Sequence, residues 1–255
     1  MEHKVFVTLG FHVNFYHSWR GDTPDEAGFG TDIRIVRRVL DMLNEANANG
    51  LQARGYWDTE VYWTFENILP QHAPDIIENL RQRVQSGQDE ILLGPYNNGA
   101  NHAATEEEFR AAIALSLENE RGSGLRQLFG KVAPFYRAQE SMQTAGQNRI
   151  FLEEGVQGVL HYYAGVSFNT LSNFVPALPL EQQYNPLWMK SMPDEPPIIL
   201  WPTVSLSDIL NHTSLEMWLL ELRRLQTSGK VDSDLLLHIN IDADADTWLP
   251  FRMPK

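Results

Sequence analysis

Seven short apolar runs recur along the chain, most of them separated from the next by a stretch of helical periodicity. They are 4-KVFVTLGF-11, 51-LQARGYW-57, 90-EILLGPY-96, 131-KVAPFYRA-138, 156-VQGVLHYY-163, 197-PIILWP-202 and 234-DLLLHINI-241. The runs are continuous rather than alternating, the pattern of strands buried on both faces, as in parallel sheets. Between the first two runs, Ile33, Val36, Leu40 and Leu43 fall at helical spacing, and Gly50 marks the stop. Residues 60–70 read as a short helix ended by Pro70, and 74–87 carries Pro at its start and Gly at its end. Thr105 and Glu108 form a capping box for the helix over 106–120. Thr213 with Glu216 caps another helix, closed by Gly229. The pattern predicts a single α/β domain over 1–255. The favoured form is a seven-stranded (β/α)7 barrel, whole, distorted or incomplete, and the second choice is a doubly wound open sheet.

Composition narrows the partners. The formal net charge is −13, which disfavours nucleic acid and anionic membrane surfaces. No cysteine is present, which excludes disulfides, thiolate metal sites and cysteine nucleophiles. There is no 18-residue apolar span, and the N-terminus lacks a signal-peptide core, so a cytoplasmic chain is expected. The end, 249-LPFRMPK-255, carries no helix or cap signal and reads as a boundary with more chain beyond it.

In parallel α/β folds ligands bind at the carboxyl ends of the strands. Those ends hold His12, Asn14 and His17; Trp57, Asp58 and Glu60; Asn97, Asn98 and His102; Glu140; His161; and the acidic stretch 238-HINIDADADTW-248. Carboxylates, histidines, amides and aromatic rings together suit a sugar, whose hydroxyls need polar partners and whose C–H faces stack on rings. Glycoside cleavage needs two carboxyl groups. An EF-hand reading of the acidic stretch fails, because Thr247 and Met253 stand where the loop needs Gly and Glu. Asp58 and Glu60 also suit the N-terminus of a following helix. Tyr62 and Trp63 read as core ahead of a sugar platform, and His238 reads as structural. Segment 83-RVQSGQDE-90 reads as architectural, at the opposite end from the active face.

At these residues the chain resembles glycoside hydrolase family 57 and its relatives, the family 38 α-mannosidases and the polysaccharide deacetylases. These share a seven-stranded (β/α) barrel. The resemblance rests on 11-FHVNFY-16, 86-SGQDEILLGPYNNG-99, 133-APFYRAQES-141 and 242-DAD-244, in that order. It implies a retaining glycoside hydrolase or transglycosylase acting on α-linked sugars. Glu140 would be the nucleophile, Asp242 the acid/base and Asp244 a supporting carboxylate. His12, Asn14, Trp57, Asp58, Asn98, His161 and Trp248 would bind substrate. The family's later helical region, which completes the cleft, would be missing. No cofactor is implied, since the mannosidase and deacetylase metal signatures are broken at Asn14 and in 97-NNGANH-102. The alternatives are a metal-dependent deacetylase or mannosidase, using His12, Asp58, His102 or His161, and Asp242, and a non-catalytic carbohydrate-binding domain. Phe135 and Arg137 resemble the deacetylases' strand-four motif.

Overall fold

The computed structural model describes residues 3–15, 25–144, 146–162, 179–190 and 193–243. The strands are β1 (Val5–Val13), β2 (Tyr56–Thr59), β3 (Glu90–Leu93), β4 (Ala133–Arg137), β5 (Gly158–Tyr162), β6 (Leu187–Met189), β7 (Ile198–Thr203) and β8 (Leu235–Asp242). Their order in the sheet is β6-β7-β5-β4-β3-β2-β1-β8. Each of the seven expected runs contributes to a strand, the second only through Tyr56 and Trp57. The eighth, β6, is a three-residue strand paired antiparallel with β7, which makes the sheet mixed. The chain divides into two compact units, one of Gly10–Gln139 with Ile241–Lys255 and the other of Met1–Leu9 with Glu140–Asn240.

In the first unit, β1, β2, β3 and β4 pair in parallel, with a register shift between Leu92 and Leu93. The helix Gly30–Ala48 buries Ile33, Val36, Leu40 and Leu43, the stripe set by their spacing. Thr105 and Glu108 close the expected capping box on the helix Glu106–Leu117. The chain after β2 departs from expectation. A π-helix spans Tyr62–Ile68 and continues as one α-helical turn, Leu69–His72, so Pro70 does not end it. The segment ends two residues after Pro70, at His72. Gly94 follows β3, and a Cβ there would lie 2.2 Å from the Thr59 carbonyl oxygen. Only glycine permits this approach of backbone to backbone.

The core of this unit contains an ion pair. Arg83 and Asp89 are 2% and 1% exposed, too little for water to compensate either charge. Arg83 reaches Asp89 through Nε at 2.7 Å and Nη2 at 2.8 Å. Asp89 also accepts from the Gly55 N–H and the Trp57 indole, both at 2.8 Å. Arg83 donates further to Asn44 and to the Ala53 carbonyl. The segment is architectural, as expected: it ties the helix Pro74–Gln85 to the starts of β2 and β3.

In the second unit, β5 and β7 pair in parallel from Gly158↔Ile199 to Tyr162↔Thr203. Just past β7, Val204 forms a parallel bridge with Ile239 of β8. The helix Leu215–Thr227 is capped by Ser214, whose side chain accepts from the Met217 N–H. Thr213, the expected cap, instead takes a left-handed φ of 72°. His212 stacks on the buried Trp218, with ring centroids 4.2 Å apart.

Removing one partner of the Arg83–Asp89 pair strands a buried charge. Asp89→Ala is expected to lower unfolding stability by about 3–5 kcal/mol in urea titrations. A loss of ~0.5 kcal/mol or less, the size usual for an exposed surface substitution, would show that the pair is not structural.

Candidate active site

The carboxyl ends of β1, β2 and β4 converge on one charged cluster in the first unit. His12 of β1 is in register with Asp58 of β2. Parallel partners present their side chains to the same face, so the two meet, His12 Nδ1 lying 2.5 Å from Asp58 Oδ1. They are 6% and 1% exposed. Arg137, the last residue of β4, puts Nε 3.5 Å from Asp58 Oδ1 and Nη1 3.2 Å from His12 Nε2. The same Nη1 reaches Gln139 Oε1 at 3.5 Å. A guanidinium only donates, so this geometry requires Nε2 to accept and places the imidazole proton on Nδ1, shared with Asp58.

The charges pull the other way. Burial and the Arg137 guanidinium lower the His12 pKa, but Asp58, by charge and hydrogen bond, and Asp242, by charge, raise it. The sum lies above its ordinary value. A second proton can enter Nε2 only if Arg137 leaves it, and Asp58 and Gln139 are already within reach of the guanidinium. Asp242 ends β8 on the exposed side, and the next residue, Ala243, donates its N–H to the His12 carbonyl at 2.8 Å. That bond holds the end of β8 beside the end of β1. The Leu235 N–H donates to the Lys4 carbonyl with the same register offset, so the two strands run parallel.

Glu60 follows Asp58 but does different work. Its carboxylate is buried and accepts from the Trp63 N–H at 2.8 Å, the Thr64 N–H at 2.6 Å and the Thr64 hydroxyl at 2.6 Å. It caps the π-helix, the helix-terminus role expected for an acid there. Burial pushes its carboxyl up to about 7, against the hydrogen bonds from Thr64 and Trp63 and the charge of His12.

Of the site residues expected from sequence, His12, Asp58 and Asp242 come together. Asn14 is half-buried just beyond β1. Trp57 is corrected: it is fully buried, donates to Asp89 and packs on Phe11 at 4.7 Å, so it has no surface to offer a substrate. Asn98 takes a left-handed φ of 53° after β3, and its buried Oδ1 has no hydrogen-bond partner among the described residues. Glu140 and His161 belong to the second unit. Glu140 sits in the 3-10 turn Gln139–Ser141, with φ 52°, and is half-buried. His161 lies on β5, and burial lowers its pKa. Asp244, Trp248 and His17 lie outside the described residues. Trp63, expected in the core, is 38% exposed. The residue that sequence reasoning undervalued is Arg137. The strand-end rule selects it as readily as the carboxylates, but its likeness to the deacetylases' strand-four motif gives it no role in a glycosidase site. Among the described residues, no three His, Asp or Glu side chains are arranged to hold a metal ion.

No protein-family model matches the chain, and a search of curated proteins finds no match. Solved structures do match. A 4-α-glucanotransferase from Thermococcus litoralis superposes with a TM-score of 0.65 at 15% identity, covering 95% of this chain and 34% of its own. A family 57 branching enzyme from Thermococcus kodakaraensis gives 0.59 at 12% identity, covering 95% and 64%. A putative polysaccharide deacetylase from Mycobacterium smegmatis gives 0.58 at 14% identity, covering 94% and 78%. The chain thus spans about a third of the length of the glucanotransferase. The likeness is one of fold: this chain has the mixed α/β architecture that these proteins share.

The raised pKa of Glu60 makes stability fall as pH rises. Protonated Glu60 stabilises the fold below its ordinary pKa of 4.5, and that contribution is lost as pH climbs through about 7. One proton corresponds to a slope of about 1.4 kcal/mol per pH unit. Urea titrations from pH 4.5 to 7 are expected to show a steeper fall for the wild type than for Glu60→Gln. Parallel curves for the two proteins would contradict the assignment.

Proposed function

We propose that this chain is the α/β domain of a retaining glycoside hydrolase or transglycosylase acting on α-linked sugars, its eight-stranded sheet open rather than closed into a barrel. The observation that carries the reading is Asp242, an exposed carboxylate at the end of β8, held beside the buried His12–Asp58–Arg137 cluster. An accessible acid backed by a fixed charge network is the arrangement that general acid–base catalysis needs. The fold it shares with a glucanotransferase and a branching enzyme supports the sugar class.

In this reading Glu140 attacks the anomeric carbon and forms a glycosyl ester. Asp242 protonates the leaving oxygen, then takes a proton from the incoming water or sugar hydroxyl. Asp244 supports it as a neighbouring carboxylate. Asp58 and Arg137 orient His12, which with Asn14 and Asn98 binds substrate in this unit; the resemblance also implies a substrate role for His161 and Trp248. The metal-dependent deacetylase reading has less support, because the group facing both His12 Nε2 and Asp58 is the Arg137 guanidinium. A cation could reach that position only by displacing it.

Asp242→Asn and Glu140→Gln are each expected to lower kcat on α-linked oligosaccharides by about 100- to 10,000-fold. The wild-type product should keep the anomeric configuration, read by NMR. Wild-type-like turnover in both variants would sink the catalytic assignment. Sugar binding without turnover in any form of the chain would favour a non-catalytic binding domain. Activity abolished by a chelator and restored by a divalent metal would favour the deacetylase or mannosidase reading.

A further inference from the structure

The first unit carries an aromatic group outside both the core and the charged cluster. Trp63 is 38% exposed, a large open indole surface. Its backbone is anchored by hydrogen bonds. The Trp63 N–H donates to Glu60 at 2.8 Å, and the next residue, Thr64, donates to Glu60 through both N–H and hydroxyl. The N–H groups of the two residues preceding Trp63, Val61 and Tyr62, both donate to the Tyr96 carbonyl, at 3.1 and 2.7 Å. The Tyr62 ring stands nearly perpendicular to the indole, with centroids 4.9 Å apart, and lies 5.8 Å from the Tyr96 ring.

This group sits at the same strand ends as the cluster. Trp63 follows β2 by four residues, and the Phe15 N–H beyond β1 donates to the Thr64 hydroxyl at 3.3 Å. The backbone that carries it is a seven-residue π-helix. π-helical segments are rare and are frequently found at functional sites. An exposed indole fixed in place before binding loses little conformational entropy when a ligand covers it. Two ligand classes stack on such a surface, nucleobases and the C–H faces of sugars. The net charge of −13 opposes the polyanionic one.

We infer that Trp63 is a stacking platform for a pyranose ring, with the Tyr62 ring bracing the indole. This rests on the reading of the chain as a sugar-processing domain and adds a recognition residue to it. The platform addresses the apolar face of the sugar, while the charged cluster addresses hydroxyls and the glycosidic oxygen.

The probe is a soluble α-1,4-linked glucose tetramer. Trp63→Ala is expected to raise KM about tenfold, equivalent to ~1.4 kcal/mol, with kcat changed less than about threefold. Trp63→Phe should recover most of the loss, which a mere packing defect at this position would not require. In an Asp242→Asn background, binding read by calorimetry should weaken by the same factor on adding Trp63→Ala. Unchanged KM and unchanged binding in a turning-over enzyme would overturn the platform and leave the reaction standing. Trp63-dependent binding with no turnover in the wild-type chain would support the platform and remove the proposed reaction. No binding of the tetramer by any form would overturn the platform.

Discussion

Asp58 is a carboxylate with almost no contact with water, so its charge must be compensated from within the protein. That constraint organises the carboxyl-terminal side of the first unit. His12 answers it from β1 and Arg137 from β4, two cations or near-cations on separate strands. Compensation needs β1 and β2 in one register and Arg137 at the last position of β4. A slip of one residue would turn His12 to the other face and leave Asp58 with a single partner. The reactive-looking geometry is therefore also a device that pins strand alignment. At the other end of β2 and β3, Arg83 and Asp89 do the same for the strand starts.

Much of the fold was legible in the sequence because continuous apolar runs leave few alternatives to buried parallel strands. The seven runs, the stripe from Ile33 to Leu43 and the Thr105–Glu108 box all stand in the structure. What escaped notice has physical reasons. Strand β6 is three residues long, below the length at which periodicity speaks. The π-helix differs from an α-helix by hydrogen-bond spacing, which composition does not encode. Ser214 displaced Thr213 as the cap because two adjacent hydroxyls satisfy the same rule, and only backbone geometry separates them.

The site was legible in place more than in role. The strand-end rule found His12, Asp58 and Asp242. It also selected Trp57, since a tryptophan beside an acid suits a sugar site equally well. The burial of Trp57 depends on Asp89, thirty-two residues away in sequence, whose carboxylate gives the indole N–H a partner inside the protein. Trp63 reverses that outcome. It was read as core, and the structure leaves it open to solvent while its neighbours Thr64 and Phe65 are buried. Two tryptophans six positions apart thus divide the labour between packing and surface, a distinction set by tertiary partners alone.

The missing side chain at position 94 reaches further than its own turn. Gly94 brings its backbone against the Thr59 carbonyl. Two residues on, the Tyr96 carbonyl receives the Val61 and Tyr62 N–H groups that begin the π-helix. The two chain segments are therefore clamped on both sides of Glu60, once by contact and once by hydrogen bonds. A single added methyl would act as a wedge there, opening the gap between the ends of β2 and β3 and rotating the aromatic group with it. The tolerances of this end of the sheet are in that sense set by a hydrogen atom.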